Sequence, residues 1–91
     1  MLSTSEIVKI IRIIKKDNEI SEDSPLYGIN SILDSLHFIE LCISLEEKSN
    51  ELGFTFKWNT EKTINRINEI FKNPKTLTIE FNKQMRNSKT P

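Results

Sequence analysis

Asp34-Ser35-Leu36-His37-Phe38-Ile39-Glu40-Leu41-Cys42-Ile43-Ser44-Leu45-Glu46-Glu47 is the stretch that decides the fold. Asp34 stands where a helix N-cap belongs, since its short carboxylate can accept the unpaired N–H groups of a first turn. A helical pattern then runs unbroken from Ser35 to about Asn50. Leu52-Gly53 is expected to close that helix. At about 100° per residue, Phe38, Leu41, Cys42 and Leu45 share one sector, which the sequence assigns to the core. Leu36, Ile39 and Ile43 fall on another side, with Glu40 and Glu47 beside them and Glu46 at the margin. A helix in a small domain buries one stripe against its neighbours. The second must therefore meet a loop, a ligand or another protein, and an apolar stripe edged by carboxylates has the make-up of a docking surface.

Toward the N-terminus, Ile7, Ile10, Ile11 and Ile14 recur at helical spacing between lysines and an arginine, predicting an amphipathic helix from Thr4 or Ser5 to about Lys16. Between the two helices, residues 17–34 hold the turn formers Asp23-Ser24-Pro25, Gly28 and Asn30 among Ile20, Leu26, Tyr27, Ile29, Ile32 and Leu33. These apolar side chains are expected to pin a long loop over the helical core.

Toward the C-terminus, Phe54-Thr55-Phe56-Lys57-Trp58 alternates like a strand but has no partner strand, so it is read as an extended connector. Thr60 to about Lys72 predicts a third helix with Ile64, Ile67, Ile70 and Phe71 on one side and Asn73-Pro74 ending it. Leu77, Phe81 and Met85 mark one face of a last helix. The sequence thus predicts an all-α four-helix domain, with one domain spanning 1–91 and an ordered core over about 4–86.

With 91 residues there is room for one core, and one cysteine, Cys42, leaves no internal disulfide to reinforce it. Lys9 and Arg12 interrupt the isoleucine-rich N-terminal run, which argues against a signal peptide or membrane span, so a cytoplasmic, monomeric protein is expected. Net charge is zero, but residues 17–51 hold nine acids against one base, while 52–91 carry eight bases and three acids. The basic flanks show no nucleic-acid-binding motif and no clustered aromatics, so no nucleic-acid partner is expected. His37 is the only histidine, and two positions along a helix from Ser35 its side chain diverges from the hydroxyl, so neither a catalytic dyad nor a metal site is expected.

Ser35 is placed at the positive end of its helix, where free N–H groups and the macrodipole favour a phosphate ester. Asp23-Ser24-Pro25-Leu26-Tyr27-Gly28, Ile32-Leu33-Asp34-Ser35-Leu36-His37-Phe38-Ile39-Glu40-Leu41 and Leu45-Glu46-Glu47 together resemble the acyl carrier protein family around its prosthetic-group site. The likeness covers about residues 20–47 well and the first and last helices more loosely. It implies a four-helix bundle of the acyl-carrier type with a long loop between the first two helices, and a non-enzymatic role. Ser35 would receive 4′-phosphopantetheine from coenzyme A through a magnesium-using phosphopantetheinyl transferase, and the arm's thiol would carry acyl intermediates as thioesters in fatty-acid or specialised, polyketide-like biosynthesis. Asp34 would help present Ser35 to the transferase. Leu36 and Ile43 match positions that contact partner enzymes in the family, Glu40, Glu46 and Glu47 match acids that meet basic partner surfaces, and Ile39 could border an acyl-chain cavity. The partners implied are the transferase, an acyl- or aminoacyl-loading ligase, and downstream synthases or transferases.

This chain departs from the family in three ways: His37 stands where an acid is common, which bears on transferase choice; the 53–75 segment is longer; and overall acidity is missing. The last two departures suggest a specialised, stand-alone carrier. An aminoacyl or peptidyl carrier, such as one for D-alanine, stays open, as does an unmodified helical interaction module that uses the Leu36-Ile39-Ile43 stripe.

Overall fold

A computed structural model describes residues 1–88, and all regular structure among them is helical: α1 (Thr4–Lys15), α2 (Ser35–Glu51), α3 (Glu61–Asn65), α4 (Ile67–Ile70) and α5 (Pro74–Ser88). α1 begins with a capping box in which Ser3 Oγ accepts the Glu6 N–H at 3.1 Å and Glu6 Oε1 accepts the Ser3 N–H at 3.1 Å. It ends at Lys16, which takes a left-handed conformation (φ 57°). Ile7, Val8 and Ile11 face inward, and α1 packs against both α2 and α5.

The core joins that face to Leu41, Cys42 and Leu45 of α2, to Leu77, Phe81 and Met85 of α5, and to Phe54, Phe56, Ile70 and Phe71 from the segment between them. Leu2 belongs to it as well, two residues before the expected ordered span. Its N–H donates to Asn82 Oδ1 at 3.0 Å and its carbonyl accepts from Asn82 Nδ2 at 2.8 Å, so one α5 amide holds the start of the chain.

The connector after α2 is extended as expected, without a strand partner among the described residues. Gly53 reverses the chain at φ 89°, a conformation that strains any residue with a Cβ. Ser49, fully buried, secures the extended segment from both its backbone and its side chain: its carbonyl accepts the Phe54 N–H at 3.0 Å and its Oγ accepts the Phe56 N–H at 2.8 Å. Phe54 and Phe56 then both meet the Phe81 ring, at 5.1 and 5.4 Å between centroids, while Trp58 packs half-buried against the same cluster.

The third helix differs from its sequence reading. The chain does not run helically from Thr60 to Lys72. It breaks at Arg66 (φ −114°, ψ 17°), giving two short helices and five in all instead of four. Ile64 is consequently exposed, and Thr63 is buried in its place. The physical cause is a segment rich in β-branched residues and asparagine, which hold a helix weakly, together with the Arg66 guanidinium turning to Glu69 (2.9 Å) and Glu80 (3.2 Å). Asn73-Pro74 does not simply end a helix but starts the next: Asn73 Oδ1 accepts the Thr76 N–H at 3.0 Å, and Pro74 occupies the first turn of α5, where its missing N–H costs nothing. No helix among the described residues is long and apolar enough to cross a membrane.

Candidate functional site

The loop over residues 17–34 is held down at intervals. Arg12 donates from Nε and Nη2 to the Ile20 carbonyl at 3.0 and 2.8 Å, the Ile32 N–H donates to the Pro25 carbonyl at 2.9 Å, and Asp23 pairs with Lys75 of α5 at 2.7 Å. Ile20, Leu26 and Leu33 are buried beneath it, whereas Tyr27 and Ile29 are exposed and do not pin it. Gly28, at φ 102°, makes the turn that lifts those two side chains outward. Tyr27 still leans on Phe38 of α2 (5.5 Å between centroids), and Phe38 meets Phe71 edge-on at 4.8 Å, so the loop, α2 and the end of α4 share an aromatic seam.

Tyr27 and Phe38 of that seam line an open cleft of about 620 Å3, together with Ile29, Leu33, Ser35 and Ile39. Ser35, the first residue of α2, is exposed at its edge. The helix starts there because Asp34, in extended conformation, accepts the His37 N–H at 2.8 Å, while the Phe38 N–H closes the first helical bond onto the Asp34 carbonyl at 2.9 Å. The His37 N–H lowers the Asp34 carboxyl below its ordinary value against desolvation, with smaller help from the charges of His37 and Lys15 and from the Leu36 N–H. The His37 imidazole Nδ1 stands 3.1 Å from the same Asp34 oxygen, out of line for a directed hydrogen bond.

Along α2 the two faces separate as the spacing predicts. Leu41, Cys42, Leu45 and Ser49 are buried, while Leu36 (65%), Ile39 (41%) and Ile43 (43%) keep much of their surface in solvent. Glu40 and Glu47 are exposed beside them; Glu46 is half-buried and its charge acts on Cys42. Asp34, Ser35 and Ile39 thus border the cleft, and Leu36, Glu40, Ile43 and Glu47 lie on the open side of the same helix. Sequence reasoning did not place Tyr27, Ile29 and Phe38 on the cleft lining. Gly28 between two apolar residues was the available signal, since a left-handed turn there throws its neighbours outward.

These residues suit a Ser35-linked phosphopantetheine. Ser35 is exposed, it opens a helix whose first N–H groups have no intrahelical acceptor, and an apolar cleft lies alongside. Ser35 Oγ has no hydrogen-bond partner among the described residues. No family model, curated protein or solved structure matches the chain.

Proposed function

We propose that the chain is a carrier that holds acyl intermediates on a 4′-phosphopantetheine arm esterified to Ser35, within a four-helix-type carrier fold whose third helix is split. The observation that carries this reading is the exposed Ser35 in the first turn of α2, at the mouth of an apolar cleft and beside an exposed apolar stripe. When bound, the arm supplies a thiol for thioester chemistry. The chain supplies the seat. Asp34 fixes where α2 begins and so sets Ser35 in the first turn, and the free N–H groups and positive helix end there favour the charge of a phosphodiester.

No base among the described residues bonds to the Ser35 hydroxyl, and in this reading a separate transferase deprotonates it while partner enzymes supply the loading and condensing groups. Leu36, Ile39 and Ile43 offer such enzymes a desolvated centre, and Glu40, Glu46 and Glu47 offer a charged rim that guides a basic surface. The cleft side of Ile39 is suited to an acyl chain. The longer 53–75 segment and the missing overall acidity favour a dedicated pathway over general fatty-acid synthesis.

The test is intact mass before and after incubation with coenzyme A, magnesium and a broad-specificity transferase. One phosphopantetheine should add to the native chain and none to Ser35→Ala. If several transferases leave the native chain unmodified, the carrier reading is wrong and the stripe belongs to an unmodified interaction module.

A further inference from the structure

The segment that departs most from the carrier pattern builds a second concavity, on other elements from those that form the Ser35 cleft. It measures about 500 Å3 and is lined by Lys57 of the connector, Lys62 at the start of α3, Arg66 at the α3–α4 break, and Glu80, Lys83 and Gln84 of α5. Its floor is braced. Gln84 Oε1 accepts the Lys57 N–H at 2.7 Å, Gln84 Nε2 donates to the Lys57 carbonyl at 2.9 Å and to Glu80 Oε2 at 2.9 Å, and Glu80 Oε1 accepts from Arg66 at 3.2 Å. Glu80, only 6% exposed, is spent on Arg66 and Gln84. Lys57, Lys62 and Lys83 form no salt bridge among the described residues. Glu69 is near enough for Lys83 to act on its charge, yet it bonds to Arg66 instead. Three lysines from three elements therefore line one recess beside Arg66, with a single carboxylate in its lining, an excess of positive charge that an anion would offset.

We propose that this groove binds a small, multiply charged anion, of the oligophosphate or polycarboxylate class. The recess is within the size range of small-ligand sites, and its basic residues come from three separate elements instead of one run along the chain. The site is independent of Ser35, so Ser35→Ala should bind as the native chain does.

The full chain, isotope-labelled, is titrated with inorganic pyrophosphate and separately with citrate, monitoring backbone amides by NMR at low and at physiological salt. Saturable shifts centred on Lys57, Lys62, Arg66 and Lys83 are expected with at least one of the two. Lys62→Gln combined with Lys83→Gln should bind roughly tenfold more weakly or worse. Lys9→Gln combined with Lys16→Gln, which removes the same charge from the α1 side, should not. Pyrophosphate alone saturating marks an oligophosphate site, and citrate saturating equally marks a general polyanion site; both support the proposal. It is overturned by shifts that never saturate, by shifts spread over all surface lysines, by equal weakening in the α1 control, or by an acidic peptide saturating the groove where both small anions fail.

Discussion

The Asp34 carboxylate meets His37 twice: Oδ1 accepts the backbone N–H at 2.8 Å and lies 3.1 Å from the imidazole Nδ1. The first contact sets the start of α2. The second covers a ring nitrogen that is shut off from solvent and has no directed hydrogen bond. His37, an oddity in the sequence, is thus a companion of the cap.

The cap carries a pH dependence. The His37 N–H holds the Asp34 carboxyl below its ordinary 3.8, so the folded form binds the proton less readily than the unfolded chain does. The contribution is fully present above the unfolded value and is lost as pH falls through the folded one. Asp34→Asn keeps a capping oxygen but cannot titrate in this way. Thermal melts across the acid range should show the native chain losing its advantage over Asp34→Asn as pH drops below about 4; a difference independent of pH would mean the carboxylate charge adds nothing to the cap.

How much was legible in the sequence depends on whether local and tertiary signals agreed. In α1 and α2 they did: isoleucine spacing, the Asp34 cap and the turn at Gly53 all pointed the same way, and both apolar faces of α2 were readable from spacing alone. At residues 60–73 they conflicted. Ile64, Ile67, Ile70 and Phe71 fit one helical face on paper, but the β-branched residues and asparagines of the segment hold a helix weakly, and the contact of Arg66 with Glu80, fourteen residues away, is one no local pattern encodes. Asn73-Pro74 was legible in principle, because asparagine, then proline, then Thr76 is a helix-start pattern that reads as a stop when the preceding helix is overextended. Tyr27 and Ile29 were misread as anchors because apolarity in a loop does not say which way a glycine turn will point its neighbours.

The two faces of α2 make opposite predictions for one kind of change. Leu41 is fully buried, so Leu41→Asp places an unpaired charge in the core. A cost of about 4 kcal/mol or more is a large share of the roughly 5–14 kcal/mol available to a domain of this size, and circular dichroism should show a largely unfolded chain. Ile43 is 43% exposed, so Ile43→Asp should melt within a few degrees of the native chain, a shift worth on the order of 1 kcal/mol or less, yet load the arm more slowly. Unfolding of Ile43→Asp would place that side chain in the interior.

Asn82 ties the start of the chain to α5, and its removal should be felt at Leu2. Asn82→Ala leaves the Leu2 N–H and carbonyl without their partners in a region where both side chains are buried. A loss of about 1–3 kcal/mol in urea unfolding is expected, with residues 1–3 fraying to let water replace the lost bonds. Shortening the chain by those residues should then cost Asn82→Ala less than it costs the native protein. Additive losses would show that Leu2 is held by packing alone.

Cys42 bears on how the proposed arm can be detected. It is fully buried, and burial, with a smaller push from Glu46, raises its thiol to about 12. A thiol that neither ionises at neutral pH nor meets solvent is a poor nucleophile. The folded chain should therefore resist alkylation near pH 8, and one thiol should appear only when denaturant unfolds it. The raised value also sets a sign: the folded state disfavours the thiolate, so stability should decline as pH rises through the ordinary cysteine range toward the folded value. If Ser35 is esterified as proposed, the native modified protein gains one fast-reacting thiol while Cys42 stays silent. Alkylation and then intact mass would count arms directly. Rapid labelling of the unmodified folded chain would mean that α2 opens enough to expose Cys42, and its inner face would not be the fixed surface against which α1 is packed.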